Sequence, residues 1–321
     1  MDDDALIQQL PDTVAARVRS LKQSDGRVIV VLDATGLPAD SRDGLEAAVK
    51  DLLALQPGVR EVRVAMMADK PTRTIIAVGS GKGGVGKSTL TANLAVALSR
   101  MGRKVGLVDA DIYGPSQPTI LGNVGEKPTA HDEKLVPVSS KWGVPVLSMG
   151  HLVEAGKALA WRGPMAGNAL GQLIDAHWGE AEFILIDLPP GTGDVQLSML
   201  QKHKPTGAVI VSTPQDLALI DAQRAMQLFD SGGVPILGLV ENMAGYACPH
   251  CGEVSDPFGQ GGVEAAAKAL DLPFLGRIPL TIAIRTAGDD GVPPATGDGP
   301  EADAFRTIAQ AMLASLESRH G

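Results

Sequence analysis

Cysteine is nearly absent from this sequence, which has only Cys248 and Cys251 among its 321 residues. Two cysteines are too few to build a disulfide-linked secreted scaffold. We therefore expect a reducing, cytoplasmic location, where a close cysteine pair indicates metal or redox chemistry.

Aromatic residues, long apolar runs and a signal-like N-terminus are also lacking. Aromatics make up only 3% of the chain, so the core must consist mainly of aliphatic side chains and methionine. The first four residues are Met-Asp-Asp-Asp, without the basic start of a signal peptide. No run approaches the ~18 apolar residues that a membrane span needs. We predict no membrane partner.

Positive charge is in deficit as well. Lys and Arg number 28 against 37 Asp and Glu, a net charge of -9. Because affinity for nucleic acid comes mostly from neutralising phosphates, this balance argues against a general nucleic-acid-binding surface. We predict no nucleic-acid partner.

The hydrophobic pattern divides the chain into two predicted domains, residues 1–70 and 71–321. In the first, a β-branched strand (Arg27–Asp33), a helix with apolar spacing (Ser41–Leu55) and an alternating strand (Val59–Val64) predict a small α+β domain. Residues 68–72 have the composition of a linker. The second domain alternates apolar strands with helices, which predicts a doubly wound, mainly parallel α/β sheet. Its predicted strands are Thr74–Val78, Lys104–Asp109, Val144–Ser148, Phe183–Asp187, Ala208–Ser212 and Ile236–Val240, and its predicted helices include Ser88–Arg100, Gln215–Phe229 and Ala302–Arg319.

A glycine-rich loop follows the first strand of the larger domain. Its sequence fits G-x-x-x-x-G-K-[ST], and it lies between a predicted strand and a predicted helix. The glycines let backbone N–H groups face phosphates, Lys87 can reach the β- and γ-phosphates, and Ser88 can ligate Mg²⁺. The sequence therefore predicts an ATP site in this loop. The residues of the loop are Gly81, Lys82, Gly83, Gly84, Val85, Gly86, Lys87 and Ser88.

Two acidic segments can supply the groups that a phosphate loop lacks. The apolar strand Phe183–Asp187 ends in an acid, as a Walker B strand does, and Asp187 would hold Mg²⁺ directly or through water. Asp109 and Asp111 lie at the end of another strand, and we expect Asp111 to orient the attacking water. Each acid could instead cap a helix or a loop.

The same loop has a second interpretation. Gly79–Gly84 fits G-x-G-x-x-G, the dinucleotide-binding fingerprint, with Asp109 in the place of a ribose-binding acid. That pattern leaves Lys87 and Ser88 unexplained.

The two cysteines form a C-x-x-C pair, Cys248-Pro249-His250-Cys251. Two thiolates can hold one metal ion or one edge of a cluster, whereas a [4Fe–4S] cluster or a structural zinc ion needs four ligands. Two copies of the chain related by a dyad would supply four, so we predict a cluster that bridges a homodimer. Zinc at the same dyad, a thiol–disulfide enzyme and a pair without a ligand are the alternatives. Gly252–Pro257 argues against the helix that such an oxidoreductase needs, and we expect His250 to be a bystander.

Residues Lys82 to Thr89 resemble the deviant Walker A motif, in which Lys82 is the signature lysine. That class includes nitrogenase iron protein and the chromosome- and septum-positioning ATPases. The resemblance implies that Lys82 crosses a dimer interface to the nucleotide of the partner subunit. It adds Thr89 to the nucleotide site and Lys82 to the catalytic set of Lys87, Asp111 and Asp187.

Five further segments resemble the Mrp/ApbC group of iron–sulfur cluster carriers, and with the loop they extend the resemblance over residues 72–321. The resemblance implies a homodimer that hydrolyses ATP slowly and passes clusters from a donor to apo-protein clients. It implies that Asn242 contacts adenine and that Gly191–Asp194 is the switch that senses the γ-phosphate. The segments are Asp109–Ser116, Trp161–Met165, Asp187–Asp194, Val240–Met243 and Cys248–Cys251.

Other readings of the two domains remain open. Gly26–Val64 is similar to a small domain that precedes such ATPases, although the usual Asp-Pro-Glu stretch is reduced to Pro11-Asp12-Thr13. It contains no cysteine, so we interpret it as a structural or interaction module. The larger domain could instead be a positioning ATPase or an ATP-binding scaffold with structural zinc. Membrane-binding positioning ATPases use a basic amphipathic C-terminal helix, but the polar face of Ala302–Arg319 is mixed in charge, so we expect its apolar stripe to pack on the sheet.

Overall fold

The computed structural model describes residues 3–35, 37, 39–67, 73–152 and 163–319. The chain forms two compact units, Met1–Thr72 and Arg73–Gly321. The linker predicted at 68–72 lies outside the described residues, and so do Trp161 and Arg162 of the carrier-like segments.

The smaller unit is a three-stranded sheet packed against helices. Its strands lie in the order β1-β2-β3, with β1 antiparallel and β3 parallel to β2. Alternate residues of β2, such as Val30 and Leu32, pack with Val49 and Leu53 of α3. Strand β1 was not predicted from the sequence, because only one of its seven residues, Leu21, is buried. The elements are α1 (Asp3–Ile7), α2 (Asp12–Ala15), β1 (Val18–Ser24), β2 (Arg27–Asp33), α3 (Ala39–Ala54) and β3 (Glu61–Met67).

The larger unit is built on a parallel sheet with strand order β13-β11-β10-β4-β9-β5-β8. The short strand β12 pairs antiparallel with the end of β11, and β6 and β7 form a separate hairpin. The predicted doubly wound sheet is confirmed. The strands are β4 (Thr74–Gly79), β5 (Val105–Asp109), β6 (Thr129–His131), β7 (Lys134–Val136), β8 (Val146–Ser148), β9 (Phe183–Asp187), β10 (Gly207–Ser212), β11 (Ile236–Ala247), β12 (Val254–Ser255) and β13 (Phe274–Leu280).

Helices cover both faces of this sheet. One face packs on α4 and α12, and the other on α7, α8, α9 and α10. The expected packing of the C-terminal apolar stripe is confirmed, since Phe305, Ile308 and Met312 of α12 are fully buried in the core. In the described part of the chain, no helix combines the length and apolarity that a bilayer crossing requires. The helices are α4 (Lys87–Arg100), α5 (Gln117–Leu121), α6 (Met149–Leu152), α7 (Gly163–Ile174), α8 (Asp194–Lys202), α9 (Asp216–Ser231), α10 (Gly262–Ala269), α11 (Ile282–Asp289), a 3₁₀ turn (Pro294–Thr296) and α12 (Pro300–Glu317).

The topology brings the predicted site residues to one edge of the sheet. Parallel strands end at the same edge, and in open α/β sheets ligands bind beyond their carboxyl ends. The glycine-rich loop follows β4, Asp109 ends β5, Asp187 ends β9, and Asn242 lies midway along β11. Segments separated by about half of the chain therefore meet at this edge.

Candidate functional site

The glycine-rich loop fits tightly between α9 and β11. A Cβ on Gly81 would lie 2.0 Å from the carbonyl carbon of Asp221 in α9. Gly86 has φ +85°, and a Cβ there would lie 2.0 Å from Nδ2 of Asn242. Only glycine meets both demands, a close backbone approach at one position and a left-handed conformation at the other.

The loop ends where α4 begins, and this helix terminus is suited to an anion. Its N-cap residue is Gly86, which has no side chain to bond the N–H groups of the first helical turn. These N–H groups and the helix dipole favour negative charge. Gly83 and Gly84 are exposed, whereas Ser88 and Thr89 are half-buried.

Lys87 lies at the centre of the site. Its Nζ is 2.5 Å from Oδ1 of Asp187, 3.3 Å from Oγ of Ser88 and 3.9 Å from Oδ2 of Asp111. Lys87 and Asp187 are both buried. One polar cluster therefore contains four residues that were predicted separately. Lys87 and Ser88 belong to the glycine-rich loop, Asp187 ends the Walker B-like strand, and Asp111 follows β5.

Two further side chains hold Asp187, and neither was predicted from the sequence. Oγ1 of Thr91 donates to Oδ1 of Asp187 at 3.2 Å, and Nε2 of Gln117 donates to Oδ2 at 2.8 Å. Thr91 lies one helical turn after Lys87, a spacing that could have indicated it. Gln117 carries no such signal, because its partner lies 70 residues further along the chain.

Asp109 is a fully buried structural acid. Its Oδ2 accepts hydrogen bonds from the N–H groups of Ser116 and Gln117 and from the hydroxyl of Ser148, and its Oδ1 accepts one from the N–H of Asp111. Burial, followed by the nearby charge of Asp187, raises the pKa of Asp109 to about 7. Of the alternatives open for the acid pair, the loop-capping interpretation describes Asp109.

Replacing Asp109 with Asn should change how stability depends on pH. The folded protein keeps the Asp109 proton up to a pKa of about 7, while the unfolded chain loses it near 3.8. The free energy of unfolding of the wild type therefore falls as pH rises through this window, at up to about 1.4 kcal/mol per pH unit. Asp109→Asn lacks the ionisable group that causes this fall. In urea titrations, its free energy of unfolding should therefore increase relative to that of the wild type as pH rises. A difference in unfolding free energy that stays the same at every pH would contradict the raised pKa of Asp109.

Asp111 has a different environment from Asp109. Its Oδ1 accepts the N–H groups of Tyr113 and Gly114, which fixes the loop after β5. Its Oδ2 is the atom that faces Lys87. The side chain is thus held at one oxygen and directed toward the cluster with the other.

The donor set at this cluster fits Mg²⁺. Two carboxylates, of Asp111 and Asp187, lie beside a single ammonium group, so the buried cluster has excess negative charge. The hydroxyl of Ser88 lies beside them. Carboxylate and hydroxyl oxygens are the ligands that Mg²⁺ takes in phosphate-transfer sites.

The predicted adenine residue contacts the loop, and the predicted switch contacts Ser80, the residue before the loop. Nδ2 of Asn242 donates to the carbonyl of Val85 at 2.7 Å. The N–H of Gly191 donates to the carbonyl of Ser80 at 3.0 Å, and the amide of Gln196 donates to the carbonyl of Pro189 at 2.7 Å. The side chain of Asp194, the last residue of the predicted switch, is outside the described part.

Lys82 stands apart from the buried cluster. Its side chain is half-buried, and its ammonium group forms no ion pair or hydrogen bond with any described residue. The Ser80 hydroxyl donates to the backbone carbonyl of Lys82 at 3.0 Å. The structure thus brings Lys87, Ser88, Asp111 and Asp187 together and leaves Lys82 outside their hydrogen-bond network.

The cysteines lie in the turn that connects β11 to β12. The N–H of Cys248 donates to the carbonyl of Glu253 at 2.9 Å, and the N–H of Gly252 donates to the carbonyl of Cys248 at 2.8 Å. These bonds close a hairpin turn, which confirms that no helix begins at the pair. Cys248 is half-buried and Cys251 is exposed.

Backbone donors favour the thiolate in this turn. The N–H groups of Cys251 and His250 hold the pKa of the Cys248 thiol below its ordinary value. A thiolate is the form that binds metals. Within the described ranges, no group of three or more His, Cys, Asp and Glu side chains is arranged to hold a metal ion. One chain thus offers two thiol ligands at this hairpin.

The doubly wound sheet and the glycine-rich loop with its Lys87–Asp187 pair define a P-loop NTPase. A family profile described as ParA, NUBPL iron-transfer P-loop NTPase, matches residues 71–313. The chain belongs to this family. The predicted ATPase class is confirmed, and the dinucleotide interpretation of Gly79–Gly84 is wrong.

Two relatives match most of the chain. An iron–sulfur cluster carrier protein of Deinococcus radiodurans is 44% identical over 288 residues, which are 86% of this chain and 81% of the relative. An iron–sulfur protein required for NADH dehydrogenase in mitochondria of Arabidopsis thaliana is 48% identical over 250 residues, 76% of this chain and 79% of the relative. The resemblance to the iron–sulfur carrier group is confirmed by this similarity and the family match.

Solved structures show the same fold with nucleotide bound. A nucleotide-binding protein of Archaeoglobus fulgidus in complex with ADP is 41% identical, with a TM-score of 0.61 over 70% of this chain and 89% of that one. The septum site-determining protein MinD of Pyrococcus horikoshii, complexed with Mg-ADP, is 28% identical, with a TM-score of 0.57 over 76% of this chain and 98% of that one. Both support a nucleotide site in this fold.

Proposed function

We propose that this chain is an iron–sulfur cluster carrier that works as a homodimer. It receives a [4Fe–4S] cluster from a donor, transfers it to apo-proteins, and couples this cycle to MgATP binding and slow hydrolysis. One observation carries the proposal. The C-x-x-C pair lies in a surface hairpin at the end of β11, and the same strand contacts the phosphate loop through Asn242.

The number of thiols supports a cluster held between two copies. Each chain has two cysteines, and a cubane cluster takes four thiolate ligands. Cys248 and Cys251 of two chains complete that set. Their place in a surface turn, with Cys251 exposed, suits cargo that must be handed to another protein, because a buried site would shield the cluster from the acceptor.

The buried cluster supports a MgATP site. In this proposal Lys87 binds the β- and γ-phosphates, and Ser88 and Asp187 hold Mg²⁺, which when bound neutralises phosphate charge. Gly81–Thr89 wrap the phosphates, and Asn242 contacts adenine. Asp111, held at Oδ1 by two backbone N–H groups, orients the attacking water with its other oxygen.

Two lysines of the loop have separate roles in this proposal. Lys87 acts within its own chain, as its buried contacts suggest. Lys82 has no ionic partner among the described residues and acts on the nucleotide of the partner subunit. Dimerisation and nucleotide state are then linked, and Gly191–Asp194 senses the γ-phosphate through its contact with Ser80, just before the loop.

Strand β11 provides a short physical link between the two sites. Cys248 follows Asn242 by six residues. Since a strand rises about 3.3 Å per residue, the first cysteine lies at most about 20 Å from the residue that contacts the phosphate loop. A nucleotide-dependent shift of Asn242 would therefore move the base of the cysteine hairpin.

The remaining assignments follow from the same picture. The domain boundary lies near residue 70, and the small N-terminal domain serves as a structural or interaction module rather than a cluster site, because it has no cysteine. A thiol-bound cluster that is exposed on a hairpin requires the reducing environment of the cytoplasm.

Anaerobic reconstitution with iron and sulfide tests the proposal. The product should show broad visible absorption and contain about four irons per dimer, because the four thiolates of a dimer hold one [4Fe–4S] cluster. Mixing it with a cluster-requiring apo-enzyme should restore that enzyme's activity. A colourless dimer that binds zinc but never iron and sulfide would support the structural-zinc alternative and refute the carrier proposal.

A further inference from the structure

A buried amide connects three parts of the nucleotide site that are distant in sequence. Gln117, the first residue of α5, is fully buried. Its Nε2 donates to the carbonyl of Ser88 at 3.0 Å and to Oδ2 of Asp187 at 2.8 Å. Its backbone N–H donates to Oδ2 of Asp109 at 3.1 Å. One residue therefore joins the start of α4, the end of β9 and the loop after β5.

The bond to Asp187 gains importance when nucleotide binds. Among described residues, Asp187 is held by Lys87 and Thr91 at Oδ1 and by Gln117 at Oδ2. Lys87 is the residue that the phosphates attract, and its ammonium group cannot serve both partners fully. Gln117 then remains the main donor that orients the carboxylate, since the single hydroxyl proton of Thr91 is shared with the Lys87 carbonyl at 2.9 Å. Because Gln117 is neutral, it holds the carboxylate without reducing its charge for a cation.

The other end of the Gln117 amide also points to a ligand. Its Oε1 is buried and has no hydrogen-bond partner among the described residues. An unpaired buried polar atom destabilises the fold, a cost that an apolar residue of the same size would avoid. An acceptor beside a Mg²⁺ site can take a hydrogen bond from one of the waters that Mg²⁺ retains.

We propose that Gln117 is a positioning residue that holds the Asp187 carboxylate for Mg²⁺. The inference rests on the proposed Mg²⁺ site at Ser88 and Asp187. It makes metal binding depend on the loop from Asp111 to Gln117, which Asp109 fastens at both ends.

Gln117→Met tests this role, because methionine has the length of glutamine without its polar atoms. A fluorescent ATP analogue is titrated in EDTA and at increasing Mg²⁺. Affinity in EDTA should be unchanged, while the Mg²⁺ concentration for half-maximal tightening rises about 10–100-fold, the usual effect of losing a residue that orients a metal ligand. A purely structural role for Gln117 would leave the Mg²⁺ dependence unchanged.

Asn93→Leu is the matched control. Asn93 is another buried amide near the loop, on α4, and it donates to the carbonyl of Thr89 and accepts from the N–H of Ala295 without contacting Asp187. This variant should lose thermal stability and keep the wild-type Mg²⁺ dependence. A shift as large as that of Gln117→Met would overturn the proposal, since it would follow from any lost buried amide.

Two further variants separate the role of Gln117 from the metal site itself. If Gln117→Met does not fold, Gln117→Asn withdraws the amide by about 1.5 Å, beyond reach of its two acceptors, and should shift the Mg²⁺ dependence in the same direction. Asp187→Asn should remove the Mg²⁺ dependence of binding. A normal dependence in Asp187→Asn would refute the metal site of the proposed function itself. A loss in Asp187→Asn with a normal response in folded Gln117 variants would refute only the role of Gln117.

Discussion

Replacing Lys87 with Ala is expected to abolish ATP hydrolysis, with a loss on the order of 10²–10³-fold or more. Lys87 is the cation closest to Asp187 and the residue placed to meet the β- and γ-phosphates. The same substitution leaves the buried Asp187 carboxylate without its counter-charge, which should lower the free energy of unfolding by about 3–5 kcal/mol. Phosphate-release assays and urea titrations of the nucleotide-free protein measure the two effects.

Lys82→Ala is the control for this prediction. Both lysines belong to one loop, but the Lys82 ammonium group has no ion pair among the described residues. We expect Lys82→Ala to keep wild-type stability and nucleotide binding by a single chain, and to lose hydrolysis because we propose that Lys82 acts on the nucleotide of the partner subunit. Unchanged turnover in Lys87→Ala would contradict the assignment of the phosphate loop. Equal destabilisation by the two substitutions would contradict the separation of their environments.

Cys248→Ser and Cys251→Ser are each expected to prevent the reconstituted protein from holding a cluster. Either substitution removes two of the four thiolates of a dimer, so iron should fall from about four per dimer to near zero. ATP binding should persist, because the cysteines lie in a surface turn beyond the contact of Asn242 with Val85. Iron and sulfide analysis with visible spectra, beside a nucleotide titration, measures both.

His250→Ala provides the control for the cysteine variants. His250 lies in the same turn and is exposed. We expect its variant to keep the colour and the iron content of the wild type. Colour that survives in the double cysteine variant would refute the bridged site, and loss of colour in His250→Ala would show that the histidine is a ligand.

Local motifs explain why much of the site could be predicted from the sequence. The loop from Gly81 to Ser88 is contiguous, and its glycines and lysine are required at fixed spacing by the phosphates. Asp187 follows an unbroken apolar strand, so its place at a strand end was readable. The C-x-x-C pair is equally local, and the turn-forming residues after it predicted the absence of a helix.

Contacts between distant segments could not be predicted in the same way. Gln117 reaches Asp187 only because β5 and β9 are neighbours, which is a property of strand order and not of local pattern. Asp109 and Asp111 are two residues apart and similar in the sequence, yet the first is fully buried and caps a loop. Polar surface strands such as β1 also carry too few buried positions to show a clear alternation.

The position of the cysteines in the hairpin of β11 and β12 has a consequence for how firmly a cluster is retained, which should depend on the concentration of the protein. A chain that offers two thiols holds only half of the four-thiolate coordination sphere of the proposed bridging cluster. Occupancy should therefore rise with the square of subunit concentration, and dilution alone should loosen the cargo. An acceptor with its own thiols then competes against a second copy of the carrier for each half of the cluster.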